Sequence, residues 1–244
     1  FIKDIGQNLN NRLSSKKILS NNKKDIKILA DIELNNQITT FLEQNFNYEI
    51  LSEENINSRN FLDYKELVWI VDPLDGSLNF SRGIEHCCIS ISLWDSKNFK
   101  SIFSCIFNIL NSDMYVSYND KALLNDNLIS VSNIDSIKSG ILCTGFPSYG
   151  NYDFDYLQEF ISRIQNWKKI RAIGSAAISL SWVACGKVDG YIEENIRIWD
   201  VAAGISLVQS AGGNVFMKEN NEKNFVTVIA TNHKISVESL KGNY

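Results

Sequence analysis

The run Leu67-Val68-Trp69-Ile70-Val71 is apolar at every position and passes directly into Asp72-Pro73-Leu74-Asp75-Gly76-Ser77. A short apolar run bounded by turn residues reads as a buried strand. Such a strand needs cover on both faces. Together with the alternation of helical and extended stretches along the rest of the chain, this makes a mixed α/β or α+β protein with helix layers between sheets the expected fold. Two carboxylates stand where this strand stops. Pro73 fixes its own φ and pushes Asp72 toward an extended conformation, giving it a rigid base. The turn exposes the Leu74 carbonyl, and Asp75 can return to the same place. Gly76 lets backbone approach a ligand closely. Ser77–Arg82 then reads as a helix, whose free N–H groups and positive dipole end favour phosphate. The same letters, Asp-Pro-x-Asp-Gly, also make a good structural turn.

Elsewhere the apolar period switches. Ile28, Leu29, Ile32, Leu34, Ile38, Phe41 and Leu42 recur at helical spacing and predict a helix over Lys27–Asn45. Strands are predicted at Tyr48–Ser52, Cys88–Leu93, Ile102–Ile106, Met114–Val116 and Gly140–Thr144. In the C-terminal half, Phe154–Gln165, Ser175–Cys185 and Val201–Ser210 read as helices, with Gly186 and Gly212-Gly213 as stops. Trp167–Ile173, Val188–Glu193, Asn214–Met217 and Val226–Ala230 read as extended, and Val237–Leu240 as a short helix. Asn21-Asn22-Lys23-Lys24 and Asn220-Asn221 read as solvated loops. With only Pro73 and Pro147 and no Pro- or Ser-rich linker, residues 1–244 read as one unit. A subdivision would fall between an N-terminal α+β half, 1–138, and a C-terminal α/β half, 139–244.

A net charge of −4 does not resemble the basic surface of a dedicated nucleic-acid binder. No apolar run reaches membrane-spanning length, and no signal peptide is evident, although the chain begins at Phe1 and Phe1–Leu9 reads as the remainder of a helix. The five cysteines, Cys87, Cys88, Cys105, Cys143 and Cys185, include no C-x-x-C pair and read as reduced, mostly buried thiols of a cytoplasmic protein.

Hard divalent cations take oxygen ligands, and a two-metal site needs several carboxylates converging on ions roughly 3.5–4 Å apart. Three places supply them, each where an apolar element stops: Glu53-Glu54 after the strand ending near Ser52, Asp72 with Asp75, and Asp200 at the start of a helix. Each has a plainer reading, as a solvated pair, a turn and an N-cap respectively. The combination is what points to a metal site.

Asp72-Pro-Leu-Asp-Gly-Ser-Leu-Asn-Phe80 closely resembles the first signature of the inositol monophosphatase family, and Trp199-Asp-Val-Ala-Ala-Gly204 resembles its second. The resemblance extends over nearly the whole chain, including Glu53-Glu54 and Gly174-Ser175-Ala176-Ala177. It implies a layered α-β-α-β-α sandwich, usually a homodimer, that hydrolyses small phosphomonoesters with two or three Mg²⁺ ions per subunit. It implies that Glu53, Asp72 and the Leu74 carbonyl hold one ion, that Asp72, Asp75 and Asp200 hold a second, and that a weaker third again uses Glu53. Gly76 and Ser77 would receive phosphate through backbone N–H groups. Asp31 would pair with Ser77 to orient the attacking water, Glu54 would be a base or water holder, and Glu193 would contact substrate hydroxyls. Asp31 could instead be a plain helix-surface carboxylate, and Glu193 or Glu194 a solvated strand end.

The sequence departs from the family pattern at Ser77, where Thr is usual, at Ser52, where Gly is usual, and at Ile84-Glu85-His86, where Pro is common. His86 and His233 have no evident nucleophile to serve and read as structural. Leu78-Asn79-Phe80 resembles the inositol-phosphate branch, so a sugar or inositol monophosphate is the expected substrate. Fructose 1,6-bisphosphate or a 3′(2′),5′-bisphosphate nucleotide is the alternative, with Arg197 either on a second phosphate or merely a surface charge. A regulatory or binding protein with vestigial catalysis is the reading from a different class. No nucleic-acid or membrane partner is expected.

Overall fold

The structure is a computed structural model and describes residues 1–11, 18–21, 26–55, 59–64, 66–98, 100–146 and 153–241. Pro147 and Asn22-Lys23-Lys24 lie outside the described residues.

The first half supplies α1 (Ile2–Asn10), a strand pair β1 (Ile18–Asn21) and β2 (Ile26–Ile28), and α2 (Leu29–Asn45). Strands β3 (Glu49–Ser52), β4 (Leu67–Asp75), β5 (Cys88–Asp95), β6 (Lys100–Asn108), β7 (Met114–Tyr118), β8 (Lys121–Leu124) and β9 (Asn127–Leu128) follow, with α3 (Ser77–Arg82) after β4. These seven strands form one sheet in chain order, parallel between β3 and β4 and antiparallel from there on. The second half gives β10 (Ile141–Thr144), α4 (Phe154–Ile164), β11 (Lys169–Arg171), α5 (Ala176–Ala184), β12 (Gly190–Arg197), α6 (Ile198–Ser210), β13 (Asn214–Glu219) and β14 (Phe225–Thr231). Its five strands form a second sheet in the order β11-β10-β12-β14-β13.

Side-chain alternation explains the layering. On β4, Trp69 and Val71 pack with Leu34, Ile38 and Leu42 of α2 and with Ile5 and Leu9 of α1. Val68 and Ile70 face the other way, into a core with α5, α6 and Tyr191, Val226 and Val228 of the second sheet. The far face of the second sheet buries Leu142, Ile192 and Ile229 against Phe160 and Ile164 of α4. The result is helices, sheet, helices, sheet, helix: the α-β-α-β-α sandwich that the resemblance implies.

The structure corrects several boundaries. Lys27 belongs to β2, paired with β1, so α2 starts at Leu29. Asp72 does not follow the strand, because β4 continues through Asp75. Pro73 is tolerated there because the β3 ladder ends at Ser52↔Val71 and the β5 ladder skips from Asp72↔Ser90 to Asp75↔Cys88, leaving no bond for a missing N–H to break. Only Lys169–Arg171 of the extended stretch Trp167–Ile173 pairs as a strand. Short strands β1, β2, β8 and β9 have no counterpart in the sequence reading.

Candidate metal centre and adjoining pocket

On β4 three residue steps, Asp72 to Asp75, are matched by two on β5, a β-bulge. In a regular strand residues three apart face opposite ways. The extra residue turns Leu74 toward α2 and lets both Asp72 and Asp75 face the layer of α5 and α6. Asp72 is almost fully buried there. Asp200 is in the first turn of α6, whose N-cap is Arg197, so it is not the cap. The positive end of the helix still favours its charge. Glu53 and Glu54, both half-buried, begin a short 3-10 turn directly after Ser52.

These elements bring Glu53, Asp72 and Asp200 together, with one carboxylate oxygen of each within 4.8 Å of the others. Burial first, and then the charges of Glu53, Asp200 and Asp75, push Asp72 well above the usual carboxylate range. Burial, Glu53 and Asp75 do the same to Asp200. A tight, all-oxygen group of like charges is the donor set that a hard divalent cation fits.

Asp75 stands outside that trio. Its Oδ2 accepts from Ser175 Oγ at 2.6 Å and from Ala177 N at 2.8 Å, at the start of α5. Burial raises its pKa to about 6, against the lowering effect of those bonds. Ser77 matches the arrangement expected of it: its hydroxyl proton has two acceptors in reach, Asp31 Oδ1 at 3.1 Å and the Leu74 carbonyl at 3.0 Å. Asp31 is buried, not a surface helix carboxylate. Leu74 N donates to Asp72 Oδ1 at 2.9 Å, stiffening the turn. Gly76, the cap before α3, has φ +84°, and a Cβ there would lie 2.7 Å from the His86 carbonyl, so glycine is required.

A cavity of about 200 Å³ opens beside Asp75, lined by Thr144, Gly145, Ser175, Glu193 and Ile196. Glu193 accepts from Tyr191 OH at 2.7 Å, and a side chain at Gly145 would collide with its carboxylate. Burial raises Glu193 to about 7, offset by the Tyr191 bond. A second bulge explains why Glu193 and Ile196 share the cavity. On β12 the three steps between them match two on β14, from Val228 to Val226. Asn195 in the bulge has φ +52° and accepts from Asn220 Nδ2 at 2.5 Å, while Glu194 pairs with Arg163 of α4. Glu194 is therefore an ion-paired strand residue and not a solvated end.

Arg197 stacks over Phe225 at 3.7 Å and reaches the Lys223 carbonyl at 3.3 Å. His86 meets Trp182 edge-on, and His233 is exposed. The cysteines are free thiols, all but Cys185 buried. The sequence reading missed Tyr191 as a partner of Glu193 and Ser175 as a partner of Asp75. The signal for Ser175 was its N-cap position ahead of an apolar helix.

The profile of the inositol monophosphatase family matches residues 2–240. The chain belongs to the inositol monophosphatase family. Members of that family are phosphatases, hydrolases of phosphoric monoesters, and are typically Mg²⁺-dependent. A protein of Xylella fastidiosa named Nus factor SuhB is 38% identical over 69% of this chain and 60% of its own length. An inositol-1-monophosphatase of Rhizobium meliloti is 35% identical over 59% of this chain and 54% of its own length. The chain thus spans less than two thirds of both. A fructose-1,6-bisphosphatase/inositol-1-monophosphatase of Thermotoga maritima is 32% identical over 82% of this chain and 75% of its own length. The crystal structure of extragenic suppressor protein SuhB from Bartonella henselae superposes with a TM-score of 0.81 at 28% identity, covering 100% of this chain and 95% of that one. Among the described residues, no helix is long and apolar enough to cross a membrane.

Proposed function

We propose that this chain is a Mg²⁺-dependent phosphomonoesterase acting on a small phosphorylated polyol, with inositol monophosphate the first candidate. The observation that carries this reading is the convergence of Glu53, Asp72 and Asp200, with the Ser77–Asp31 pair joined to Asp72 through the Leu74 turn. Glu53, Asp72 and the Leu74 carbonyl would hold one ion, Asp72, Asp75 and Asp200 a second, and Glu53 a weaker third. When bound, Mg²⁺ lowers the pKa of a water and neutralises developing charge.

The chain's own residues supply orientation. Asp31 accepts the Ser77 proton and leaves the Ser77 oxygen lone pairs to align the attacking water. Glu54, next to the cluster, holds water or takes its proton. The N–H groups of Gly76 and Ser77 receive phosphate oxygens. Glu193, steadied by Tyr191, accepts from a substrate hydroxyl, which favours a polyol over an apolar alcohol. In this reading the chain works as a homodimer, which sedimentation would check.

The test is Mg²⁺-dependent phosphate release over a panel of inositol, sugar and nucleotide phosphates. Release by wild type on at least one substrate, lost in Asp72→Asn, is expected. Equal release by both proteins on every substrate would sink the reading. The Nus factor name of the Xylella relative favours a second reading, a regulatory or binding protein with vestigial catalysis. Wild type that folds yet releases no phosphate from any substrate would favour it.

A further inference from the structure

Asn79, in the first turn of α3, is buried, and none of the chemistry above uses it. Its carboxamide nitrogen lies 2.7 Å from the His86 carbonyl, 2.7 Å from the Ile173 carbonyl and 3.3 Å from the Gly174 carbonyl. Its two N–H groups are therefore both engaged. One serves the loop that returns α3 to β5, and the other serves the loop from β11 into α5. The surroundings leave no slack. Gly174 has φ +74°, and a Cβ there would sit 3.2 Å from Asn79 Nδ2. A Cβ on Gly76 would sit 3.3 Å from the Gly174 carbonyl. Beyond Gly174 comes Ser175, which caps α5 and donates to Asp75.

We propose that Asn79 is a positioning residue: it clasps the Ile173-Gly174 loop so that the start of α5 stays fixed against the start of α3, and thereby sets where Asp75 points. The two helix starts come from opposite halves of the chain, and two side chains of the first signature reach across to the α5 side. One is Asp75, through Ser175 and Ala177. Asp75 makes that contact through a single oxygen, Oδ2, and the reading above also assigns this carboxylate to a cation. The other is Asn79, whose bonds run only to backbone carbonyls and do not depend on the ionisation or ligation of Asp75. The chemistry also selects Asn at this place. Two coplanar N–H donors facing carbonyl oxygens are what a short amide supplies, whereas Asp would set oxygen against oxygen and Ala would leave the carbonyls without their donor.

Three measurements test the clasp, and only the last rests on the phosphatase reading. In wild type, the Asn79 side-chain NH2 protons should exchange at least about a hundredfold more slowly than those of a free amide. Exchange at the free rate overturns the proposal whatever any variant does. In Asn79→Ala, or in Asn79→Ser should the first not fold, backbone exchange over 172–178 should quicken about tenfold while β5 is unchanged. No change there, or a change spread evenly over both sheets, overturns it. Finally, the Mg²⁺ concentration for half-maximal thermal stabilisation should rise about tenfold in Asn79→Ala and in Ser175→Ala, with little further rise in the double variant. Fully additive effects overturn the link from Asn79 through Ser175 to Asp75. Wild type with no Mg²⁺ response would count against the phosphatase reading, and the first two measurements would still decide the clasp.

Discussion

The bulge on β4 and the bulge on β12 have the same geometry and opposite chemistry. Each inserts one residue, and each turns two side chains three apart onto one side of the middle helix layer. On β12 every displaced group has a partner: Glu193 has Tyr191, Glu194 has Arg163, and Asn195 has Asn220. On β4 the bulge brings Asp75, which has Ser175 and Ala177, onto the face where Asp72 meets Glu53 and Asp200, groups of its own sign. One bulge is held by what surrounds it, and the other gathers charge that the fold alone does not neutralise. Local conflict of this kind is the mark of a site built for a ligand.

The largest expected effect lies at the conflicted bulge. Asp72→Asn keeps the shape and removes an ionisable carboxylate from the centre of the cluster. Phosphate release should fall by about a thousandfold or more, because the ligand shared by both proposed ions is lost. Thermal stability of the metal-free protein should rise by about 1 kcal/mol, as a like-charge contact disappears. A drop in both would mean that Asp72 is structural and that the two bulges do not differ in kind.

This contrast was only partly legible in the sequence. The all-apolar run of β4 announces a strand covered on both faces, and Val68 and Ile70 do part from Trp69 and Val71. Asp-Pro-Leu-Asp-Gly, however, satisfies every rule for a turn, so the strand was expected to end at Val71. Pro73 normally excludes a ladder position, and only the paired strands show that this position needs no N–H. The carboxylates of the trio were legible because each comes just after apolar residues, even though Asp72 lies within β4 and Asp200 within α6. The departure of Asp75 toward α5 was not, because it depends on Ser175, a hundred positions along the chain. Strands β8 and β9 escaped notice because they are short, and both residues of β9 are exposed, so burial left no pattern to read there.

The next effect is set by pH. In the fold Asp75 keeps its proton up to about 6 and Glu193 up to about 7, against ordinary values of 3.8 and 4.5. Across those windows the folded state binds more protons than the unfolded one, so metal-free stability should decrease as pH rises from about 4 to about 7, by a few kcal/mol in total. Saturating Mg²⁺ should flatten that slope, since cations and protons compete for the same oxygens. Thermal melts at a series of pH values, with and without Mg²⁺, measure both. A metal-free protein whose stability climbs over this range would show that these carboxylates are held in their charged form.

At the satisfied bulge the effect should be smaller and independent of metal. Asn195 occupies the left-handed region, where Asn is tolerated and Ala is strained, and it loses the Asn220 bond on truncation. Asn195→Ala should cost about 1–2 kcal/mol of stability, with Asn195→Gly costing less because glycine removes the strain and leaves only the lost bond. Neither should shift the Mg²⁺ dependence. If either does, the two bulges communicate, and their separation into a supported one and a charged one fails.

The smallest expected effect returns to β4. Pro73 stiffens the unfolded chain and carries no N–H, at a position where neither neighbouring ladder asks for one. Pro73→Ala restores freedom to the unfolded state and places a new buried donor in the bulge. Chemical denaturation should therefore show a loss of about 0.5–1 kcal/mol, below that of Asn195→Ala. The two losses measure how each bulge is maintained. A small loss at Pro73 fits a bulge kept in place by the strands on either side, with the proline only easing its formation. A loss matching or exceeding that at Asn195 would mean that the β4 bulge is held by the local stiffness of Pro73, and that the cluster of Glu53, Asp72 and Asp200 depends on one rigid residue more than on the sheet around it.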